Sequence, residues 1–96
     1  MTTIRIQRQH DLPPDELRRR LDQLAQALGR ELELQHHWEG ERLVFQRSGA
    51  SGHITVREGE IELELRLGLL LRPLQGHIRQ AVERRLDKEL PPPGTV

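Results

Sequence analysis

The segment that most constrains the fold is residues 61–74, IELELRLGLLLRPL. In its first half, aliphatic and charged residues alternate, and the aliphatic ones are Ile61, Leu63, Leu65 and Leu67. A period of two predicts a β-strand with one buried face and one face in water. The alternation ends at Gly68, three consecutive leucines follow, and Arg72-Pro73 opens a helical pattern. We therefore predict a half-buried strand joined to a helix by a strongly apolar connection, the leucine joint (residues 69–74).

The remaining patterns predict a strand, a helix, four strands and a second helix. The first helix is predicted over residues 14–31, because leucines recur there at steps of three and four and Pro14 suits the first helical position. The second helix is predicted from Leu70 or Pro73 to Leu90, with Gly76 favouring a late start or a bend. The glycine-containing segment 48–52, SGASG, is predicted to be a flexible connection. The five strands are predicted at residues 2–9, 34–38, 42–47, 53–57 and 60–67.

These elements predict an α+β fold of the order β-α-β-β-β-β-α. Four strands joined by short turns form an antiparallel meander, whereas a helix separates the first strand from the second. Pairing the first strand with the fifth places Arg5 and Gln7 opposite Glu62 and Glu64. The predicted sheet is curved, with strand order 2-3-4-5-1 and both helices on its concave face. We expect a single domain over residues 1–90 and a flexible proline-rich tail over residues 91–96.

Composition argues against several function classes. Fifteen basic and fifteen acidic residues give a formal charge of zero, which argues against nucleic acid or an anionic membrane as an electrostatically driven partner. There is no cysteine, and hence no thiolate nucleophile and no cysteine-ligated zinc. No segment reaches the roughly 20 apolar residues of a membrane span, and the first residues resemble a polar strand rather than a signal segment. We expect a cytoplasmic protein.

The sequence contains no recognisable catalytic or metal-binding motif. Of the five histidines, His36 and His37 are neighbours in a predicted strand and point to opposite faces, and none shows metal-ligand spacing. His10, between a strand and a helix, is best interpreted as a structural residue whose ring caps backbone groups. The serines of the SGASG segment lack the surroundings of a nucleophile elbow or a phosphate loop. We predict a protein that is not an enzyme and has no cofactor and no metal.

Three segments cover nearly the whole chain from residue 3 to residue 90: TIRIQRQHDLPPDELRRRLDQLAQAL, WEGERLVFQRSGASGHITV and ELELRLGLLLRPLQGHIRQAVERRLDKEL. In these segments the chain resembles the polyhydroxyalkanoic acid system protein family. The resemblance implies a small cytoplasmic bacterial protein connected with polyester storage granules, and it brings no catalytic residues with it. The element order also looks like a reduced version of the helix-grip fold of START-type lipid-binding domains, which by itself says little about function.

The leucine joint is the candidate binding site. Either its leucines fill the open end of the sheet, or one or two stay exposed near Trp38 and form an apolar patch for a partner. The residues assigned to that patch are Trp38, Leu69, Leu70, Leu71 and Leu74. The leading hypothesis is non-catalytic binding, through this patch, to a polyhydroxyalkanoate granule or a granule protein. The alternative is a carrier of a small hydrophobic ligand. We also predict a homodimer, formed through the second strand or the leucine joint. The second strand is an exposed sheet edge without proline or lysine, and the joint offers an apolar surface.

Overall fold

The computed structural model describes residues 2–91 and residue 94. The predicted tail therefore lies outside the described residues, apart from Pro91 and Gly94. The strands are β1 (Thr2–Gln9), β2 (Gln35–Glu39), β3 (Arg42–Arg47), β4 (Ala50–Arg57) and β5 (Glu60–Leu67). The helices are α1 (Pro14–Leu32) and α2 (Gln75–Glu89), and one turn of 3₁₀-helix, Arg72–Leu74, precedes α2.

All five strands pair antiparallel in one open sheet of order β1-β5-β4-β3-β2, which confirms the predicted α+β topology. The register of β1 on β5 also agrees with the charge-based prediction, since Arg5 lies opposite Glu64 and Gln7 opposite Glu62. Side-chain hydrogen bonds join both pairs, at 3.2 Å from Arg5 Nε and 3.1 Å from Gln7 Nε2.

Both helices bury their apolar stripes against the same face of the sheet. Each strand from β3 to β5, and β1 as well, contributes alternate side chains to a single core, and α1 and α2 contact each other above it. Removal of this apolar surface from water is the main stabilising term of such a fold. The largest fully buried side chains are Ile4, Leu17, Leu21, Leu24, Leu28, Leu43, Phe45, Ile54, Ile61, Leu67, Val82 and Leu86.

The prediction of a flexible connection over residues 48–52 is wrong. Only Ser48 and Gly49 form the turn, and β4 already begins at Ala50. Gly49 adopts a φ of 85°, a left-handed conformation that suits glycine and allows so tight a turn. Gly52 lies within β4 between Phe45 and Leu65, and a Cβ atom there would press into the carbonyl oxygen of Glu64. Gly49 thus serves the tight turn, and Gly52 serves the close packing of β4 against β5.

Smaller boundaries also differ from prediction. The second strand begins at Gln35 rather than Leu34, whose side chain is buried in the core instead. The second helix starts late, as Gly76 suggested, because the 3₁₀ turn comes before it and α2 itself begins at Gln75.

Candidate interaction surface at the leucine joint

The leucine joint is a tight, hydrogen-bonded structure. The carbonyl oxygen of Gly68 accepts hydrogen bonds from the backbone N–H groups of Leu71, at 3.2 Å, and Arg72, at 3.1 Å. The N–H of Gly68 donates to the carbonyl of Gly49, at 2.9 Å, which fastens the joint to the β3–β4 turn. Residues 69 and 70 are therefore held at the tip of a closed turn with a defined backbone.

The structure divides the leucines of the joint into buried and exposed ones. Leu71 is 7% exposed and belongs to the core, whereas Leu69 is 79% and Leu70 77% exposed. Leu74, in the 3₁₀ turn, is 49% exposed. Successive side chains of a turn point in different directions, so only one of the three consecutive leucines can reach the core. The sequence left two alternatives open, burial of the leucines at the open end of the sheet and exposure as an apolar patch. Leu71 follows the first, and Leu69 and Leu70 follow the second.

Exposed arginines flank the exposed leucines along the chain. Arg66 and Arg72 are both exposed, and no acidic residue occurs between residues 65 and 77. Arg66 lies 3.8 Å from Glu64, and within the described residues Arg72 forms no ion pair. Neither arginine was predicted to belong to a binding site. The sequence does carry a signal here, because this stretch lacks acids in a chain that has as many acids as bases.

An apolar pocket of about 220 Å³ lies behind the joint. Its wall combines the end of α1, the ends of β3 to β5 and the start of α2, including Leu32, Leu67, Leu71, Leu74 and Ile78. Pockets for small molecules usually enclose ~300 Å³ or more. The pocket is thus smaller than a carrier of a typical hydrophobic ligand needs.

Trp38 occupies a different part of the molecule. Its indole Nε1 donates a hydrogen bond to Asp22 at 2.6 Å, and the Arg18 guanidinium lies 4.1 Å from the ring centroid. Arg18 lies near the start of α1 and Asp22 in its middle, whereas Leu32, at its end, lines the pocket behind the joint. Fourteen residues of helix separate Arg18 from Leu32, which corresponds to about 21 Å. The structure therefore does not bring Trp38 next to the leucines.

The histidines are dispersed. His10 is buried, and its Nδ1 accepts a hydrogen bond from the backbone N–H of Leu12 at 3.2 Å, which is the type of structural role that its position suggested. His37 pairs with Glu39 at 2.7 Å, at the exposed edge of the sheet. Among the described residues, no three histidine or carboxylate side chains are grouped so that they could hold a metal ion.

Neither of the described helices is both long enough and apolar enough to cross a bilayer. A family model described as "Putative polyhydroxyalkanoic acid system protein" matches residues 4–90 of the chain. Comparison with curated proteins and with solved structures finds no match.

Proposed function

Because the chain belongs to the polyhydroxyalkanoic acid system protein family, we propose that it is a non-catalytic cytoplasmic protein of that bacterial polyester storage system. In this proposal it binds the granule surface, or a protein on it, through the exposed leucines of the leucine joint. Membership of the family supports a connection with the polyhydroxyalkanoate system, and the exposed leucines of the joint support a binding role.

The observation that carries the proposal is the exposure of two adjacent leucines, Leu69 and Leu70, in a turn closed by backbone hydrogen bonds. Full burial of a leucine side chain contributes about 1.5–3 kcal/mol. With both side chains about four-fifths exposed, covering them would contribute roughly 2–5 kcal/mol. Since the backbone of the turn is already closed by hydrogen bonds, little further ordering would oppose this gain.

The non-catalytic part of the proposal rests on the dispersal of the reactive side chains. The ring of His10 contacts backbone, His37 pairs with an exposed glutamate, and Ser48 lies in a two-residue turn. A general base has to lie within hydrogen-bond reach of the group that it activates, and none of these residues is arranged with a partner in that way.

Co-sedimentation with purified granules tests the proposal. We expect the protein to pellet with granules, and Leu70→Glu to weaken this binding at least about tenfold, because one apolar contact is lost and a charge would be buried. Gln75→Glu is the matched control, since it adds the same charge at an exposed position beside the joint. A wild-type protein that stays in the supernatant, and shows no granule localisation in cells, would refute the proposal.

A further inference from the structure

We propose that the surface bound by the leucine joint is a phospholipid layer, into which Leu69 and Leu70 insert while Arg66 and Arg72 contact lipid phosphates. This inference rests on the proposed function and specifies the chemistry of the partner. It identifies the joint as a small interfacial anchor rather than a protein-docking groove.

The shape of the apolar surface at the joint favours insertion into a lipid layer. Leu69 and Leu70 project from a closed turn, and the third leucine, Leu71, holds that turn to the core. A convex tip with two strongly exposed leucines suits insertion into a soft apolar layer. A protein partner would instead have to offer a complementary pocket for each side chain.

The positive charge beside the exposed leucines favours an anionic lipid. Arginines lie on both sides of the exposed leucines in the chain, and Arg72 has no acidic partner among the described residues. Guanidinium groups match phosphate oxygens in geometry and charge. A bare polyester surface carries neutral ester groups, so it would leave Arg72 without a counterpart, whereas Arg66 already lies 3.8 Å from Glu64. An anionic phosphate beside an apolar phase satisfies both features of the joint at once.

Glu64 lies 3.8 Å from Arg66 and also pairs with Arg5, and the other nearby acids are paired with arginines outside the joint. Glu31 accepts hydrogen bonds from Arg84 and Arg85 of α2, at 3.3 and 3.1 Å. Glu33, which also lines the pocket behind the joint, lies 3.7 Å from Arg47. Each acid at this end of α1 thus has its own arginine.

The net charge of zero sets the expected behaviour. Long-range attraction to an anionic surface is weak for such a protein, so insertion of the leucines has to supply most of the affinity. Two leucines form a smaller anchor than one myristoyl chain, whose membrane binding is already marginal and reversible. We therefore expect weak, reversible binding that depends only moderately on salt.

The test compares three surfaces: vesicles of phosphatidylcholine with one-fifth phosphatidylglycerol, polyester particles stripped of lipid and protein, and native granules. We expect flotation with the vesicles and no binding to the stripped particles. Leu70→Glu should lower vesicle partitioning at least about tenfold, Arg72→Gln about fivefold, and Gln26→Glu, which adds the same charge at an exposed position of α1, very little. In NMR spectra, the amide signals of residues 66–72 should shift or broaden on addition of vesicles.

Several outcomes would overturn the inference. If native granules or stripped polyester bind the protein and vesicles do not, the lipid partner is wrong while the proposed function stands. If Leu70→Glu floats with vesicles as well as the wild type does, the leucine joint is not the anchor. Absence of binding to all three surfaces would refute both the inference and the proposed function.

Discussion

The substitution that best tests the packing of the sheet is Gly52→Ala. Gly52 lies on the inner face of β4, and an added Cβ atom would press into the carbonyl oxygen of Glu64 and lie 2.9 Å from the Cα of Leu65. Both of these atoms belong to the backbone of β5, so relief requires the strands to separate rather than a side chain to rotate. At strand positions without such a contact, replacing glycine by alanine normally raises the free energy of unfolding by ~0.5–1 kcal/mol.

The expected magnitude follows from these two opposing effects. Overpacking of a well-packed core costs ~1–3 kcal/mol, and a backbone obstacle places the cost toward the upper end. We therefore expect Gly52→Ala to lower the free energy of unfolding by about 2 kcal/mol net. For a domain of this size, 1 kcal/mol corresponds to ~4–8 °C in Tm, so the melting temperature should fall by roughly 8–16 °C.

Gly76→Ala is the matched control, because the same methyl group meets no atom within 4 Å there. Gly76 lies in the first turn of α2, and because alanine is preferred by ~1 kcal/mol in a helix interior, we expect Tm to rise, by at most about 4–8 °C. Thermal and urea melts followed by circular dichroism measure both variants. If Gly52→Ala melts at or above the wild-type temperature, the close approach of β4 and β5 at this point is not real.

Three further predictions concern the sheet, the assembly and the pH dependence. Leu65→Ala should cost ~2–5 kcal/mol because its side chain is buried in the core, and Glu64→Ala, on the opposite face, under ~1 kcal/mol; equal effects in urea melts would contradict the face assignment. We expect a dimer in sedimentation experiments that Leu70→Glu or Trp38→Glu weakens, whereas a concentration-independent monomer mass from low micromolar upward would exclude it. Hydrogen bonds from two arginines lower the pKa of Glu16 from its ordinary value of 4.5. Its stabilising contribution is therefore complete above that pH and is lost as the pH falls through the lowered pKa, so the melting temperature of Glu16→Gln should depend less on pH in that acidic range.

The pairing of β1 shows how far local patterns can predict a long-range contact. No turn joins β1 to β5, yet Arg5 and Gln7 lie opposite the glutamates expected for them. Charged residues on the solvent-exposed face of a sheet indicate the register, because opposite charges directly across two strands are favourable and like charges are unfavourable. The register was therefore predictable even though the two strands are more than fifty residues apart.

The segment SGASG shows where local patterns fail. Small and flexible residues are typical of loops, and the sequence alone predicted one. In the structure, Gly49 provides a left-handed turn, and Gly52 leaves room for the backbone of β5. A glycine chosen for close packing has the same signature in a single sequence as one chosen for flexibility, and only the neighbouring strand distinguishes the two.

The sequence by itself determined the alternating faces of the strands, the apolar stripes of both helices and hence the α+β topology. Each of these follows from periodicity, which is a local property of the chain. Tertiary structure alone decided which leucines of the joint are exposed and that Trp38 lies elsewhere. Leu71 packs into the core, while Leu69 and Leu70 remain outside. Whether a side chain in a turn is buried depends on which element packs against the turn. The local sequence of the turn does not show which element that is.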